Sequence, residues 1–303
     1  MHLSADILSD HFPAYSVNLS KLVETLLTET AASFSHLLDL QYDRIGSAST
    51  EKHGVPLTKQ AVSRMQNLRR AIVLCAQTDT LDLLMDADDA FMESVRSDTL
   101  SDLLEEEPAF SCVDIIRSID EETIRACKNL ISKERRGTEF LRVSPSGKSD
   151  VWNKVFSEGK DAPSFRDLSA SDAIAVLIRN EHFGTILLPP YAGSIFASAS
   201  LATHDFGLTR SVSFGRSYLF IPDLSNFASD ETAAVISVIL STADYLDVVY
   251  GLQQEAFCIR TGLHAALEGK TEHRSKWDSS LEPTKIADLV IQQIRFAGQL
   301  AHR

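Results

Sequence analysis

The sequence lacks most of the short motifs that identify a function directly. It contains no G-x-S-x-G, no Walker glycine loop, no G-x-G-x-x-G turn and no H-E-x-x-H pair. The four cysteines are far apart and form no C-x-x-C pair: Cys75, Cys112, Cys127 and Cys258. This spacing predicts free thiols in a reducing compartment, because neither a disulfide framework nor a zinc site has such a pattern.

Basic residues are scarce in this chain. The 29 Lys and Arg residues face 42 Asp and Glu residues, which gives a net charge of -13. Such a surface repels phosphate backbones and anionic membranes, so we expect neither nucleic acid nor a membrane as a partner. We also find no run of about 18 apolar residues that a membrane span would need. The first residues carry acids where a secretory signal has a basic start, and a cytoplasmic protein is therefore expected.

The chain has 303 residues, 44% of them hydrophobic, enough for one large α/β domain or two coupled lobes. Apolar residues at helical spacing predict helices over 17–40, 58–68, 171–180, 192–204, 230–248, 252–268 and 284–300. The last helix should turn Ile286, Leu289, Val290 and Ile294 inward. Short apolar runs predict strands at 71–76, 110–117, 139–143, 185–188, 211–214 and 218–221. Strands that alternate with helices indicate an α/β sheet protein, although the acidic stretch 79–108 shows no clear pattern.

Several segments, taken in order, resemble the isopropylmalate/isocitrate dehydrogenase family of metal- and NAD-dependent decarboxylating dehydrogenases. The run from Phe183 to Ile221, which begins FGTILLPPYAGSIFASASLATHDFG, resembles the family's catalytic segment, in which a strand leads into the helix that carries the metal aspartates. Residues 51–62, 113–152 and 273–294 resemble its G-V-P-L-P segment, the approach to its catalytic lysine and its closing segment. The resemblance implies an α/β fold, an isopropylmalate dehydrogenase-like two-lobed α/β/α sandwich over residues 1–303. Its lobes would be 1–80 plus 215–303, and 81–214.

The metal positions of the family carry the wrong residues in this chain. Ser194 and Ser198 stand where two metal aspartates are expected. Ser171 stands where a third is expected, with Asp172 beside it. A neutral hydroxyl cannot replace an anionic ligand to a hard cation, so we expect no metal cofactor.

The cofactor-binding turns of the family are also missing. The glycine-rich turn G-D-G-I-G-P-E has no counterpart near Tyr15–Lys21. The segment PDLSNFASD at 222–230 lacks the histidine, glycines and lysine of the family's NAD loop. Acids at Asp86, Asp88 and Asp89 occupy the region of its substrate arginines and would repel a carboxylate. We therefore expect no cofactor at all, including NAD, and no oxidative decarboxylation.

A former cleft between the lobes is the predicted site. Its candidate catalytic residues are Asp172, Ser194, Ser198 and His204, and its candidate substrate-binding residues are Ser171, Tyr191 and Lys148. Each has a plainer interpretation. The serines could be inert replacements, Asp172 and Lys148 could be surface charges, and His204 could be a favourable charge at a helix C-terminus.

Two hypotheses of different classes follow from this pattern. In the first, the chain is a repurposed non-oxidative enzyme, of isomerase, cyclase or lyase type, that acts on a neutral or apolar small molecule in the old cleft. In the second, it is a catalytically dead pseudoenzyme that serves as a regulatory or structural partner subunit. A concave pocket with convergent polar groups favours the first, and a broad exposed apolar patch favours the second. A homodimer through the helices at 171–180 and 192–204 is expected in either case.

Overall fold

The structure, a computed structural model, describes residues 1–13, 15–88, 91–97, 110–114, 121, 125, 140–143, 154–155, 157, 165–178, 185–188, 208–214, 217–222, 224, 231–267 and 282–301. Ten strands are described: β1 His2–Ser9, β2 Leu37–Arg44, β3 Arg70–Leu74, β4 Phe91–Ser97, β5 Phe110–Asp114, β6 Phe140–Val143, β7 Phe165–Leu168, β8 Thr185–Leu188, β9 Leu208–Phe214 and β10 Tyr218–Pro222. The helices described are α1 Leu19–Ser33, α2 Gly46–His53, α3 Lys59–Leu68, α4 Thr78–Asp88, α5 Ala170–Ile178, α6 Glu231–Tyr250, α7 Gln253–Leu267 and α8 Pro283–Ala301.

All ten strands join one mixed sheet in the order β2-β1-β3-β10-β9-β4-β5-β8-β6-β7. The first four strands run parallel to one another. The pairings β10–β9, β9–β4 and β4–β5 are antiparallel, and β5, β8, β6 and β7 are parallel again. Three reversals separate the two parallel groups. The carboxyl ends of β5, β8, β6 and β7 therefore lie at the sheet edge that holds the amino ends of β1, β2, β3 and β10.

Helices cover both faces of the β2-β1-β3-β10 group, and two apolar cores result. On one face, α1, α6, α7 and α8 pack around Leu3, Ile7, Ile72 and Phe220. On the other face, Met65 of α3 and Leu84 of α4 pack on Leu8 and Val73. The alternation of inward residues along β1 thus supplies both cores from one strand, as in a sandwich with helices on each side.

The predicted helix over 17–40 is too long. The α1 helix ends at Ser33, and its apolar positions Leu22, Leu26, Leu27 and Ala31 are buried as predicted. Ser35 then adopts a positive φ of 58°, which turns the chain into strand β2. Leu38 and Leu40 continue an apolar pattern across this turn, and helical spacing alone did not reveal the change of period.

Some of the described helices and strands were predicted from the sequence, and others were not. Strands β1, β2, β4 and β7 and helices α2 and α4 were not predicted. Helices α3 and α5 to α8 and strands β3, β5, β6, β8, β9 and β10 were predicted. On α8, Ile286, Val290 and Ile294 are buried, but Leu289 is 42% exposed, so its inward assignment was wrong. The predicted helix at 192–204 lies outside the described residues. The division into two lobes stays a prediction.

Helix α6 contains a long apolar segment that was not identified as such from the sequence. Among the described residues, this 20-residue helix is the one long and apolar enough, by length and composition, to cross a membrane. In the structure 78% of its most apolar window is buried inside the protein. Ala233–Leu246 form a continuous buried run against strands and helices of the first core. Such a helix is hydrophobic all round because it is the centre of a core.

Candidate functional site

A large cavity lies at the carboxyl ends of β1 and β2. It has a volume of about 900 Å³. We call it the β1–β2 pocket. Its lining includes Ser9, Asp10, His11 to Pro13, Tyr15 to Asn18, the start of α1, Tyr42, Asp43, Arg44, one face of α2, His53, Thr58 and Gln60. Open α/β sheets commonly bind ligands outside the carboxyl ends of their strands, and this cavity occupies such a position.

Asp10 joins the two walls of the pocket. Its Oδ1 accepts hydrogen bonds from the Ser47 hydroxyl at 2.6 Å, from the Ala48 N–H at 3.0 Å and from the His11 N–H at 2.8 Å. The residue before α2, Ile45, has no side chain that could cap the helix. Asp10 therefore supplies the cap from the end of β1, and its negative charge suits a helix N-terminus.

The loop after β1 forms the first wall of the pocket. The rings of Phe12 and Tyr15 stack with centroids 5.7 Å apart and planes at 9°. The far end of the loop is tied to α6, because Glu231 accepts from the Ser16 hydroxyl at 2.8 Å and from the Val17 N–H at 2.6 Å. Asn18 then caps α1 by accepting from the Lys21 N–H. An aromatic surface is thus held between two fixed ends.

The second wall is the face of α2 that carries Ala48, Glu51 and Lys52, followed by His53. These positions share one helical face, since residues three and four apart are neighbours. Arg44 at the end of β2 also lines the pocket. Within the part of the chain that the structure describes, neither Arg44 nor Lys52 forms an ion pair. Both are exposed, so their charges are free to meet a ligand.

Two carboxyl groups lie beside the pocket, on the α3 side of the sheet. Asp43 lines the pocket, and its Oδ2 lies 2.9 Å from Nη1 of Arg64. Burial raises the pKa of Asp43, whereas the charges of Arg64 and His53 act to lower it. Asp6 is fully buried next to Asp43. Burial and the charge of Asp43 raise the pKa of Asp6 to about 7, against opposing effects of Arg64 and the Ile7 backbone N–H.

Only two of the predicted site residues fall on described residues, and they lie at a helix cap. Ser169 accepts from the Asp172 N–H at 3.1 Å and donates to Asp172 Oδ2 at 2.7 Å. The Ser171 hydroxyl lies 2.9 Å from that of Ser169, and Ser171 and Asp172 are exposed. Ser169 thus caps the N-terminus of α5, and Ser171 and Asp172 lie in its first turn. Lys148, Tyr191, Ser194, Ser198 and His204 lie outside the described residues, so their grouping into a cleft stays a prediction.

The cap at Ser171 and Asp172 is remote from the β1–β2 pocket. Helix α5 packs on β6 and β7, at the other end of the sheet. Seven strand intervals separate β1 from β6, roughly 34 Å at the usual spacing. The cap also follows the carboxyl end of β7, which points to the opposite sheet edge. These two residues and the pocket therefore belong to different places in the fold.

Sequence reasoning missed the pocket because it missed β1. The glycine-rich turn was sought near Tyr15–Lys21, but β1 ends at Ser9 and its connection begins at Asp10. His53 is exposed, and its place on the pocket wall was not foreseen from the sequence. Two signals were present: the alternation in HLSADILS, and Asp10 at the end of that run.

The connection after β1 does not fit a dinucleotide. The resemblance implies a glycine-rich turn there, whose backbone could approach a pyrophosphate. The described residues place an aspartate carboxylate and two stacked rings in that connection instead. Within the described ranges, no three His, Cys, Asp or Glu side chains are grouped so that they could hold a metal.

Three solved structures are similar to this chain over nearly its whole length. Isocitrate dehydrogenase from Methylococcus capsulatus matches 97% of this chain and 100% of its own, with a TM-score of 0.73 and 14% identity. The TT0538 protein from Thermus thermophilus matches 98% of this chain and 70% of its own, with a TM-score of 0.73 and 14% identity. A beta-decarboxylating dehydrogenase from Thermococcus kodakarensis, in its apo form, matches 99% and 98%, with a TM-score of 0.69 and 14% identity.

These similarities confirm the predicted fold. The chain is an α/β protein with the isopropylmalate/isocitrate dehydrogenase-like architecture that the sequence resemblance implied. No protein-family model matches the sequence, and no curated protein matches it either. At 14% identity, the structural similarity carries the fold and leaves the chemistry to this chain's own residues.

Proposed function

We propose that this chain is a non-oxidative enzyme, of isomerase, cyclase or lyase type, that acts on a small molecule without NAD or a metal. The observation that carries the proposal is the β1–β2 pocket of about 900 Å³, where polar and aromatic side chains converge at strand ends. A concave site with convergent polar groups is typical of small-molecule binding. The dinucleotide turn of the fold is replaced there by a wall that suits another ligand.

The pocket offers groups that can move a proton. His53 lies close enough to Asp43 for its charge to act on the pKa of that carboxyl. Both residues line the pocket. An imidazole with a carboxylate behind it is a suitable general acid or base for isomerisation or elimination near neutral pH. In this proposal His53 exchanges the proton with the ligand, and the Asp43 carboxylate lines the same pocket.

The first experiment asks whether the pocket holds a ligand. Native mass spectrometry of the purified protein should reveal a co-purifying small molecule. The variant Ala48→Trp, which places a large ring on the pocket side of α2, should abolish it. Ser63→Trp, outside the pocket on α3, is the matched control and should retain the ligand. If Ala48→Trp and the native chain carry the same ligand, the β1–β2 pocket is not the site.

NAD and metal ions provide a second arm of this test. Calorimetric titration with NAD should show no micromolar binding. The melting temperature should not rise by several degrees in about 1 mM Mg²⁺ or Mn²⁺, since a ligand that binds the native state alone would raise it. Either effect would contradict a mechanism without cofactors.

A second candidate function is that of a pseudoenzyme subunit that binds a protein partner. The observation that favours it is an exposed apolar stripe on α8, where Leu289, Phe296 and Leu300 are 42%, 55% and 54% exposed. These positions share one face of the helix. Pull-down with immobilised protein, compared with a Phe296→Ser, Leu300→Ser variant, tests this function. Loss of a stoichiometric partner in the variant would support it over the enzyme.

Self-association is a further part of the proposal. The helices at 171–180 and 192–204 are proposed to form a homodimer interface; of these, α5 falls within the described residues, where Ala173 and Val176 are already buried in the monomer. Light scattering at micromolar concentration should give twice the monomer mass. A strictly monomeric species would contradict the dimer without affecting the β1–β2 pocket.

A further inference from the structure

The charges and rings of the β1–β2 pocket define the class of ligand more narrowly. We propose that it binds a monoanionic aromatic carboxylate, whose acid group meets Arg44 and Lys52 and whose ring lies against the stacked Phe12 and Tyr15. This inference rests on the proposed function, since it names the ligand of the same pocket.

The charge balance of the lining favours an anion. Five ionised groups line the pocket besides its histidines: Asp10, Asp43, Arg44, Glu51 and Lys52. The Asp10 carboxylate caps the N-terminus of α2, and the Asp43 carboxylate forms an ion pair with Arg64. The remaining charged side chains are Arg44, Lys52 and Glu51, a net charge of about +1 before the histidines are counted.

This local excess of positive charge stands against the rest of the molecule. The whole chain has a net charge of -13, whereas Arg44 and Lys52 in this pocket form no ion pair with a described residue. A net charge of about +1 matches a carboxylate better than a phosphate dianion. Arginine binds carboxylates through two parallel N–H donors, and Arg44 has no competing ion pair within the described residues.

The aromatic surface sets the other half of the specificity. Phe12 and Tyr15 stack in parallel, and Tyr42, 46% exposed, lines the same pocket. The loop that carries the stack is fixed at Asp10 and at Glu231, so the rings are held before a ligand arrives. A planar apolar body binds such a surface at small entropic cost.

The test is a calorimetric titration of the full chain at pH 7 with named probes. The aromatic carboxylate is 1-naphthoate; 1-naphthamide lacks the charge, acetate lacks the ring, and inorganic phosphate and AMP supply other anions. We expect 1-naphthoate to bind at least about tenfold more tightly than each of the others, because it alone combines a monoanionic carboxylate with a planar apolar ring.

Variants locate the binding. Arg44→Gln and Lys52→Gln should each weaken 1-naphthoate about tenfold while leaving 1-naphthamide unchanged. Phe12→Leu keeps an apolar side chain but removes the flat face, and should weaken both naphthalene probes. The controls Arg166→Gln and Lys59→Gln remove exposed cations outside the pocket and should change neither.

Each contrary result has one meaning. If 1-naphthamide binds as tightly as 1-naphthoate and Ala48→Trp abolishes this binding, the ligand need not be a carboxylate. The pocket would then still be a small-molecule site. If phosphate or AMP binds more tightly than 1-naphthoate, the proposal that the ligand is a monoanionic carboxylate is wrong. Unchanged affinity in Arg44→Gln and Lys52→Gln also overturns the inference. No binding of any probe overturns it too, and a co-purified ligand lost in Ala48→Trp would still uphold the proposed function.

Discussion

The carboxylate of Asp10 fills the space that a side chain on Gly46 would need. A Cβ at residue 46 would lie 2.6 Å from Cγ of Asp10, closer than such atoms ever approach. Gly46 also has a positive φ of 61°. The glycine thus serves two purposes: it allows the turn between β2 and α2, and it admits the carboxylate that caps α2.

Replacing Gly46 by alanine should therefore cost more stability than the backbone conformation alone. Gly54 is a matched control, because its φ is 74° but a Cβ there would meet nothing within 4 Å. We expect Gly54→Ala to cost about 1–2 kcal/mol from the left-handed backbone, and Gly46→Ala to cost clearly more. Urea unfolding of both variants measures the difference. Asp10→Ala should remove the excess in a double variant; an excess that persists would show that Asp10 is not its cause.

The fold was largely predictable from the sequence, and its first strand shows why prediction stopped short. In HLSADILS the apolar residues Leu3, Ala5 and Ile7 alternate with polar ones, which suggests a single buried face. The opposite face is also buried at Leu8 and at the charged Asp6, which the alternation does not predict. The apolar pattern from Leu22 to Leu40 also concealed the turn at Ser35, which lies between helix α1 and strand β2. Local periodicity cannot report a reversal that a single positive φ creates.

The candidate site was less predictable than the fold. Its residues come from the end of β1, the end of β2 and the face of α2, and parallel pairing brings them together. No short sequence motif encodes this grouping of residues. The resemblance directed attention to Ser194 and Ser198, whereas His53 and Lys52 were visible only as a turn-like stretch before Gly54. The register and the order of the strands place Tyr42 opposite Ile7. Both are set by the tertiary structure and cannot be inferred from a short motif.

The buried carboxyl of Asp6 should make stability depend on pH. No hydrogen-bond partner of suitable geometry reaches either oxygen among the described residues, and its pKa is raised to about 7. A raised pKa means that the folded protein holds a proton that the unfolded chain has released between about pH 4 and 7. Stability therefore falls as pH rises through this window, by up to about 4 kcal/mol.

Asp6→Asn isolates this effect. Asparagine stays neutral, so the variant should lose the decline, and its stability relative to the native chain should increase between pH 5 and pH 8. Denaturant unfolding at the two values measures the change. Asp39→Asn, at an exposed position of β2, is the control and should follow the native pH profile. A constant difference between Asp6→Asn and the native chain would show that Asp6 does not titrate in this range.

The ion pairs of Arg260 and Arg295 should contribute very differently. Arg260, at the α6–α7 contact, lies 2.9 Å from Asp244 and 3.4 Å from Asp247, and its side chain is 8% exposed. Arg295 pairs with Glu29 between α8 and α1, but its side chain is 57% exposed. Arg260→Met should cost about 3–5 kcal/mol, because it leaves the buried carboxylate of Asp244 without this cation. Arg295→Met should cost much less, because an exposed ion pair contributes little to stability. Equal losses in urea unfolding would contradict this ranking.

The hydroxyl of Tyr250 replaces a missing strand partner of Ser4. It accepts from the Ser4 N–H at 2.6 Å and donates to the Ser4 carbonyl at 2.7 Å, where the β1–β3 pairing has not yet begun. The Tyr245 hydroxyl donates to the same carbonyl, and burial raises the pKa of Tyr245 well above its usual range. The Tyr245 hydroxyl is therefore a neutral donor at physiological pH.

Removing these two hydroxyls should have unequal effects. Tyr250→Phe leaves the Ser4 N–H without an acceptor and should cost about 1–3 kcal/mol, whereas Tyr245→Phe leaves the carbonyl bonded to Tyr250 and should cost about 1 kcal/mol. Phenylalanine preserves the edge-to-face contact between residues 245 and 250, so the comparison reports hydrogen bonds. Hydrogen exchange adds a local measure: the Ser4 amide should lose protection in Tyr250→Phe alone. If both variants expose that amide equally, the amide is held by strand pairing and not by Tyr250.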